Sequence, residues 1–223
     1  MSTVVAIYTG AGLAEPLKAV FNELLPECRL VNIIDDGLIH DINRTGSISS
    51  AVTRRLTRYY ENAVEMGADV ILNTCSSVGE VADLGRKLVD VPIVKIDEAM
   101  VEEAVRRFDR IGVIATLQST LEPTKRLILR KAEEVGKPVV IVDGLADGAY
   151  QALIRGQADV HDERIGNTAL QLANEVDAIV LAQGSMARMQ DALAQRTGLP
   201  VFSSLRTGVE AVRKVLDRQA GMP

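Results

Sequence analysis

The chain has 223 residues, a formal net charge of -5 at pH 7, and a composition that is 47% hydrophobic but only 3% aromatic, with no Trp. The lack of a basic stripe argues against a nucleic-acid partner, and the scarcity of aromatic side chains argues against base stacking. No apolar run approaches the roughly 20 residues of a membrane span, and the first residues do not resemble a signal peptide, so we expect no membrane partner and a cytoplasmic location.

The first half of the chain alternates short apolar runs with amphipathic segments, a pattern typical of parallel strands covered by helices. The predicted elements are strand 3–8, helix 13–25, strand 29–34, helix 50–67, strand 69–73, helix 80–88, strand 92–96 and helix 98–108. The polar stretch 41–47 is predicted to be a loop that could cover a site. Asp97 is placed to cap the helix that follows it.

The same pattern starts again near Arg110. The predicted elements are strand 111–116, loop 118–120, helix 123–135, strand 138–142, loop 143–148, helices 150–156 and 163–176, a strand from Asp177, strand 198–203 and helix 208–216. Three matched pairs of segments indicate two copies of one unit. The predicted fold class is therefore α/β, with two pseudo-symmetric parallel-sheet domains, residues 1–98 plus 204–223 and residues 99–203, and the active site in the cleft between them.

Cys75 is the candidate reactive group, because it follows a buried strand and precedes a helix. Unpaired N–H groups at such a helix start stabilise negative charge, so the sequence predicts a lowered thiol pKa. A thiolate acts as a base towards an acidic C–H or as a nucleophile towards a carbonyl, and both roles stay open. Cys28 is predicted to be structural, since a cytoplasmic setting disfavours a disulfide.

Polar residues follow several of the predicted strands, where their side chains and N–H groups can hold a carboxylate. Thr9 and Thr116 occupy matching positions in the two halves. The full set of candidate substrate-binding residues is Thr9, Gly10, Asn73, Thr74, Ser76, Ser77, Thr116, Ser119, Thr120, Gly184 and Met186.

Other ionisable residues are assigned weaker roles. Lys95 could reach an anionic ligand or be solvated, His40 could belong to the loop over the site, and His161 is predicted to lie on the surface at a helix start. Two distant histidines and two separated cysteines give no metal-ligand spacing. Phosphate-loop and dinucleotide fingerprints are missing, so neither a metal nor a cofactor is predicted.

With its halves superposed, the chain resembles the aspartate/glutamate racemase superfamily, which includes hydantoin racemases, maleate isomerases and arylmalonate decarboxylases. The resemblance rests on the segments 73–77, 115–120 and 177–185 and covers nearly the whole chain. It implies cofactor-free chemistry in which two cysteines, one from each half, flank the carbon of a small carboxylate. Here the second position holds Gln183, whose amide can donate a hydrogen bond to an oxyanion but cannot carry a proton near neutral pH.

This asymmetry leads to a prediction of one-sided proton transfer by Cys75 on a small carboxylate, as an isomerisation, decarboxylation or carbon–carbon cleavage. Gln183 and Ser185 are predicted to complete the opposite wall of the site. One alternative is a racemase of an amino acid or hydantoin that uses Ser185 or water as the second acid. The other is a ligand-binding or regulatory protein with a degenerate site. The sequence leaves a monomer and a homo-oligomer equally open.

Overall fold

In the computed structural model, which describes residues 1–221, the chain forms two compact units. One comprises Met1–Asp97 together with the residues from 205 on, and the other comprises Glu98–Ser204. Each unit is built on a four-stranded parallel sheet with flanking helices, which confirms the predicted α/β class. Among the described residues, no helix combines the length and the apolar composition that crossing a bilayer requires.

The first unit has strands in the spatial order β2-β1-β3-β4. The strands are β1 (Thr3–Tyr8), β2 (Arg29–Ile34), β3 (Val70–Asn73) and β4 (Ile93–Lys95). The helices are α1 (Ala14–Leu24), α2 (Gly37–Thr45), α3 (Ser50–Glu65) and α4 (Gly79–Gly85), with short 3₁₀ turns at Ala11–Leu13 and Ser76–Val78. The side-chain oxygen of Ser49 accepts the Val52 N–H at 3.2 Å and so caps α3.

The second unit repeats this plan with the strand order β6-β5-β7-β8. Its strands are β5 (Arg110–Ala115), β6 (Val140–Leu145), β7 (Ala178–Leu181) and β8 (Val201–Phe202). Its helices are α5 (Glu98–Arg107), α6 (Gln118–Glu134), α7 (Ala149–Ile154), α8 (Ala158–Leu172) and α9 (Gln190–Thr197), with a 3₁₀ turn at Gly184–Met189. The last helix, α10 (Ser204–Gln219), belongs to the first unit from residue 205 on.

Close approach of backbone explains one glycine of this last helix. A Cβ on Gly208 would lie only 2.7 Å from the carbonyl oxygen of Ile96. Glycine therefore lets α10 lie directly against the segment that follows β4.

Equivalent hydrogen bonds anchor the two sheets at their amino ends. The Thr3 N–H donates to Asp69 Oδ2 at 2.7 Å, and the Arg110 N–H donates to Asp177 Oδ2 at 3.0 Å. The aspartate N–H groups donate back to the carbonyls of Thr3 and Arg110, both at 2.8 Å. Each aspartate thus fixes the register of a central strand pair, so that the residues six positions further on emerge at equivalent places.

The central strands form the core of each unit. Every residue of β3 and β7 is buried, and both strands consist mainly of Val, Ile, Leu and Ala. Such strands are typical of parallel sheets covered on both faces. Within β3 and β7 the only polar residue is Asn73, at the end of β3, and further polar residues follow both strands along the chain. We call the ends of the sheets from which those residues emerge the carboxyl edges.

Three sequence predictions about loops are corrected by the structure. The stretch 41–47 is mostly helical, because α2 extends to Thr45 and is tied to α3 by an ion pair between Asp41 and Arg55. The stretch 118–120 is the first turn of α6, and Pro123 lies inside that helix rather than at its start. Residues 143–145 extend β6 instead of opening a loop.

Candidate active site

Cys75 lies at the carboxyl edge of the first sheet, two residues after the end of β3. Hydrogen bonds reach its sulfur from the Thr9 hydroxyl and from the N–H and hydroxyl of Ser77. Thr9 directly follows β1, the strand that pairs with β3, and Ser77 lies in the 3₁₀ turn after the cysteine. The fold therefore brings two of the predicted binding residues, Thr9 and Ser77, to the thiol of Cys75.

The charge state of this thiol differs from the sequence prediction. Burial raises the pKa of Cys75, the hydrogen bonds from Thr9 and Ser77 oppose that rise, and the negative charge of Asp97 adds to it. The net direction is upward, so the prediction of a lowered pKa is wrong. Burial in an apolar setting and the nearby carboxylate outweigh the donors, and Cys75 carries its proton at neutral pH.

The backbone of Cys75 is held by a chain of buried groups. The Tyr60 hydroxyl donates to Asn73 Oδ1 at 3.1 Å, and Asn73 Nδ2 donates to the Cys75 carbonyl at 3.0 Å. Tyr60 is fully buried and Asn73 is 1% exposed. A glycine makes room for the phenol, because a Cβ on Gly85 would lie within 3 Å of the Tyr60 ring.

Several predicted substrate-binding side chains have contacts within their own unit. Asn73 is occupied by Tyr60 and by the Cys75 carbonyl, and the Thr74 hydroxyl donates to the Ile7 carbonyl at 2.9 Å. Met186 is fully buried in the apolar core of the second unit. These three side chains shape the carboxyl edges, and their predicted part in substrate binding stays a prediction.

The second unit places Gln183 where the first unit places Cys75. Gln183 Oε1 accepts the Thr116 N–H at 2.7 Å, and the amide oxygen and nitrogen lie 3.0 and 2.9 Å from the Thr116 hydroxyl. Thr116 directly follows β5, as Thr9 follows β1. The same threonine position thus binds a thiol in one unit and an amide in the other.

The remaining predicted residues also lie at these edges. Gly10 and Ser76 adjoin Thr9 and Cys75 along the chain, and Ser76 is buried. In the second unit, Ser119 and Thr120 occupy the first turn of α6, while Gly184 and Ser185 open the 3₁₀ turn after Gln183. Ser185 is exposed, and Gly184 is partly buried. The predicted arrangement of both edges around one cleft stays a prediction.

The structure also shows the burial and contacts of the ionisable residues to which the sequence assigns weaker roles. Lys95 is 1% exposed, and its Nζ lies 2.9 and 3.1 Å from the two carboxylate oxygens of Asp83, so it is not a solvated lysine. Asp97 is 3% exposed and acts on Cys75 through its charge. His40 lies exposed on α2, and His161, predicted to be at the surface, is fully buried.

Sequence reasoning missed Tyr60. Its signal was available, because Tyr60 follows Val52 and Leu56 at four-residue intervals on the buried face of α3. A tyrosine in such a stripe requires a polar partner for its hydroxyl. Among residues 1–221, no group of three His, Cys, Asp or Glu side chains is placed to hold a metal ion.

Comparison with solved structures shows the same fold in several racemases. Allantoin racemase from Klebsiella pneumoniae superposes with a TM-score of 0.72 at 17% identity, covering 100% of this chain and 89% of the other. Glutamate racemase from Francisella tularensis subsp. tularensis SCHU S4, in complex with D-glutamate, gives 0.77 at 13% identity, covering 100% and 83%. Aspartate racemase from Picrophilus torridus gives 0.73 at 15% identity, covering 100% and 96%.

Comparison of the sequence gives the family. A search of curated proteins found no match. The family model described as Asp/Glu/Hydantoin racemase matches residues 9–212, a span that includes Thr9, Cys75, Thr116 and Gln183. The chain therefore belongs to the Asp/Glu/hydantoin racemase family.

Proposed function

We propose that the protein is a cofactor-independent enzyme that transfers a proton to carbon in a small carboxylate, with Cys75 as the acid–base group. The observation that carries the proposal is the thiol at the carboxyl edge of the first sheet, which receives hydrogen bonds from Thr9 and Ser77. These donors favour the thiolate that remains after the proton has left. Such a site is arranged for proton transfer rather than for structural support alone.

The raised pKa of Cys75 favours proton donation as its first step. When a carbon–carbon bond of the substrate breaks, or when carboxylate leaves as CO₂, the electron pair stays on carbon as a carbanion or enolate. The S–H bond of Cys75 then breaks, a C–H bond forms at that carbon, and the sulfur keeps the electron pair as a thiolate. A group that is protonated at neutral pH needs no prior activation for this step.

The second unit supports a one-sided reaction. Gln183 has no usable proton, and its amide is bound to the N–H and hydroxyl of Thr116. An amide held in this way can orient a ligand or donate a hydrogen bond to developing negative charge. We therefore place isomerisation, decarboxylation and carbon–carbon cleavage ahead of a racemisation that uses two thiols.

The substrate class follows from the kinds of polar group at the two carboxyl edges. Hydroxyl and N–H groups at Thr9, Gly10 and Ser76 suit a carboxylate oxygen, as do those at Ser119 and Thr120. The names of the structural relatives refer to glutamate, aspartate and allantoin, all small polar molecules. A small carboxylate or a related carbon acid is the class that we propose for this chain.

Solvent deuterium incorporation tests the proposal. The protein is incubated in D₂O with L-glutamate, L-aspartate, L-malate and allantoin, and deuterium at carbon is followed by NMR and mass spectrometry. We expect Cys75→Ala to reduce incorporation into the reacting compound by at least about 100-fold. Cys28→Ala is the matched control, because Cys28 precedes β2 at the opposite edge of the same sheet. Full incorporation with Cys75→Ala would remove Cys75 from the mechanism.

Family membership favours one alternative, a racemase whose second acid is Ser185 or water. Incubation of each enantiomer separately distinguishes the two cases. A racemase interconverts the two enantiomers and introduces solvent deuterium whichever enantiomer is supplied. One-sided transfer gives a single labelled product. A binding protein with a degenerate site would incorporate none. Slow alkylation of Cys75 is no sign of such a site, because the raised pKa of the thiol already slows the reaction.

A further inference from the structure

His161 lies at the functional end of the second unit although its side chain is fully buried. It occupies the first turn of α8 and continues the buried stripe of Ile165, Ala169 and Leu172. Because α8 leads into the parallel strand β7, the start of the helix lies at the carboxyl edge of the sheet. This is the edge at which Gln183 follows β7.

Asp162 connects this histidine to the turn that follows Gln183. His161 Nδ1 lies 2.8 Å from Asp162 Oδ1, and both terminal nitrogens of Arg188 donate to the same carboxylate at 2.5 Å. Arg188 belongs to the Gly184–Met189 turn. Burial opposes the charge of Asp162, but the hydrogen bonds from Arg188 and His161 prevail and lower the pKa of the carboxyl group.

The ionised carboxylate determines which imidazole nitrogen carries the proton. Asp162 can only accept hydrogen bonds, so Nδ1 of a neutral His161 donates and the lone pair lies on Nε2. Among residues 1–221, no group is within hydrogen-bonding distance of Nε2, which is itself buried. Buried polar atoms in proteins nearly always have a partner, so an unpaired one calls for an explanation.

We propose that His161 is the proton acceptor of the second unit, with its Nε2 lone pair accepting the O–H group of a bound water or of a ligand at the carboxyl edge of the second sheet. The inference rests on the proposed function, because it supplies the base that the Gln183 amide cannot provide. In the step, the O–H bond breaks, a bond forms between the proton and Nε2, and the electron pair stays on oxygen. The Asp162 carboxylate balances the charge of the resulting imidazolium, as in other Asp–His pairs.

The tautomer of His161 tests the first part of the inference without any substrate. In full-length protein labelled with ¹⁵N-histidine, NMR of the neutral imidazole is expected to show a protonated Nδ1 and an unprotonated Nε2. Asp162→Asn is expected to weaken that preference, because an asparagine amide can also donate to Nδ1. A protonated Nε2 in the wild-type protein would overturn the inference. A magnetisation transfer from water to the His161 ring in ligand-free protein identifies water as the O–H source, and its absence identifies the ligand.

Substitution tests the second part. His161→Phe removes an unpaired buried nitrogen while keeping an aromatic ring, so we expect the melting temperature to hold or rise by about 2–4 °C. We expect deuterium incorporation into the reacting carboxylate to fall by about 100-fold or more. His161→Asn, which can still donate to Asp162, should lose incorporation equally. Asn167→Ala, at an exposed position on the same helix, is the control.

The outcomes separate this inference from the proposed function. Loss of incorporation with Cys75→Ala but not with His161→Asn overturns the role of His161 and leaves that of Cys75. If none of the four compounds incorporates deuterium, the proposed function fails, while the tautomer and the melting temperature still decide the state of His161. A melting temperature that falls with His161→Phe, together with unchanged incorporation, identifies a purely structural histidine and overturns the inference.

Discussion

Removing one buried hydroxyl tests whether Tyr60 holds the Cys75 segment. The Tyr60 hydroxyl donates to Asn73 Oδ1 at 3.1 Å, and Asn73 is only 1% exposed. Tyr60→Phe removes this donor from the buried amide oxygen. An unsatisfied buried acceptor costs about 1–3 kcal/mol of the free energy of unfolding. For a chain of this size, a loss of about 2 kcal/mol lowers the melting temperature by about 4–8 °C. Calorimetry and urea unfolding measure both quantities.

The neighbouring residue on α3 provides a matched control. The Tyr59 hydroxyl donates to Asp35 Oδ2 at 2.7 Å, but Asp35 also accepts hydrogen bonds from Arg55 and from the Gly37 N–H. Tyr59→Phe should therefore cost no more than about 1 kcal/mol, since its partner keeps other donors. Equal losses for the two variants, or no loss for Tyr60→Phe, would refute the reasoning. Deuterium incorporation should also fall with Tyr60→Phe and stay unchanged with Tyr59→Phe.

Three further predictions concern charged and ionisable groups. In a Cys28→Ser background, the rate of Cys75 alkylation by iodoacetamide should rise with pH and reach its midpoint above the ordinary pKa of a thiol. Turnover should fall as the pH rises through that midpoint. A midpoint below the ordinary thiol pKa would contradict the raised pKa of Cys75. Asp83→Asn should destabilise the protein by up to about 3 kcal/mol, more than Lys95→Met, because only the former removes a carboxylate from an ammonium that stays charged and buried; chemical unfolding of both variants decides this. Lys131→Met should destabilise the protein, because the three carboxylates around Lys131 lose the cation that they share, and thermal unfolding is the measurement.

Strand positions were predictable from sequence because buried parallel strands consist of continuous apolar runs. The predicted strands 3–8 and 29–34 agree with β1 and β2 at both ends. Repetition of the pattern in the sequence also matches Thr9 with Thr116 and Cys75 with Gln183. The hydrogen bonds follow the same repeat, because Thr9 contacts Cys75 in one unit and Thr116 contacts Gln183 in the other.

Properties that depend on contacts between distant segments were not predictable. The pKa of Cys75 is set by burial and by Asp97, 22 positions along the chain, whereas the sequence showed only the adjacent hydroxyls and helix start. His161 stands in a run of charged residues, and only the packing of α8 reveals that it faces the core. The stretch 41–47 looked like a loop because its helix is stabilised by Arg55 from the next helix.

The two units show how one backbone arrangement can hold different chemistry. In each, an aspartate fixes the start of a central strand, and a threonine after the neighbouring strand contacts the residue six positions beyond that aspartate. This frame determines where the side chain lies but not what it is, so a thiol and an amide occupy equivalent places. An enzyme built in this way needs a proton-carrying group at only one of the two equivalent positions, which are held by Cys75 and Gln183. Any second one must come from elsewhere in the unit, and His161, held by Asp162 at the same edge, meets that requirement.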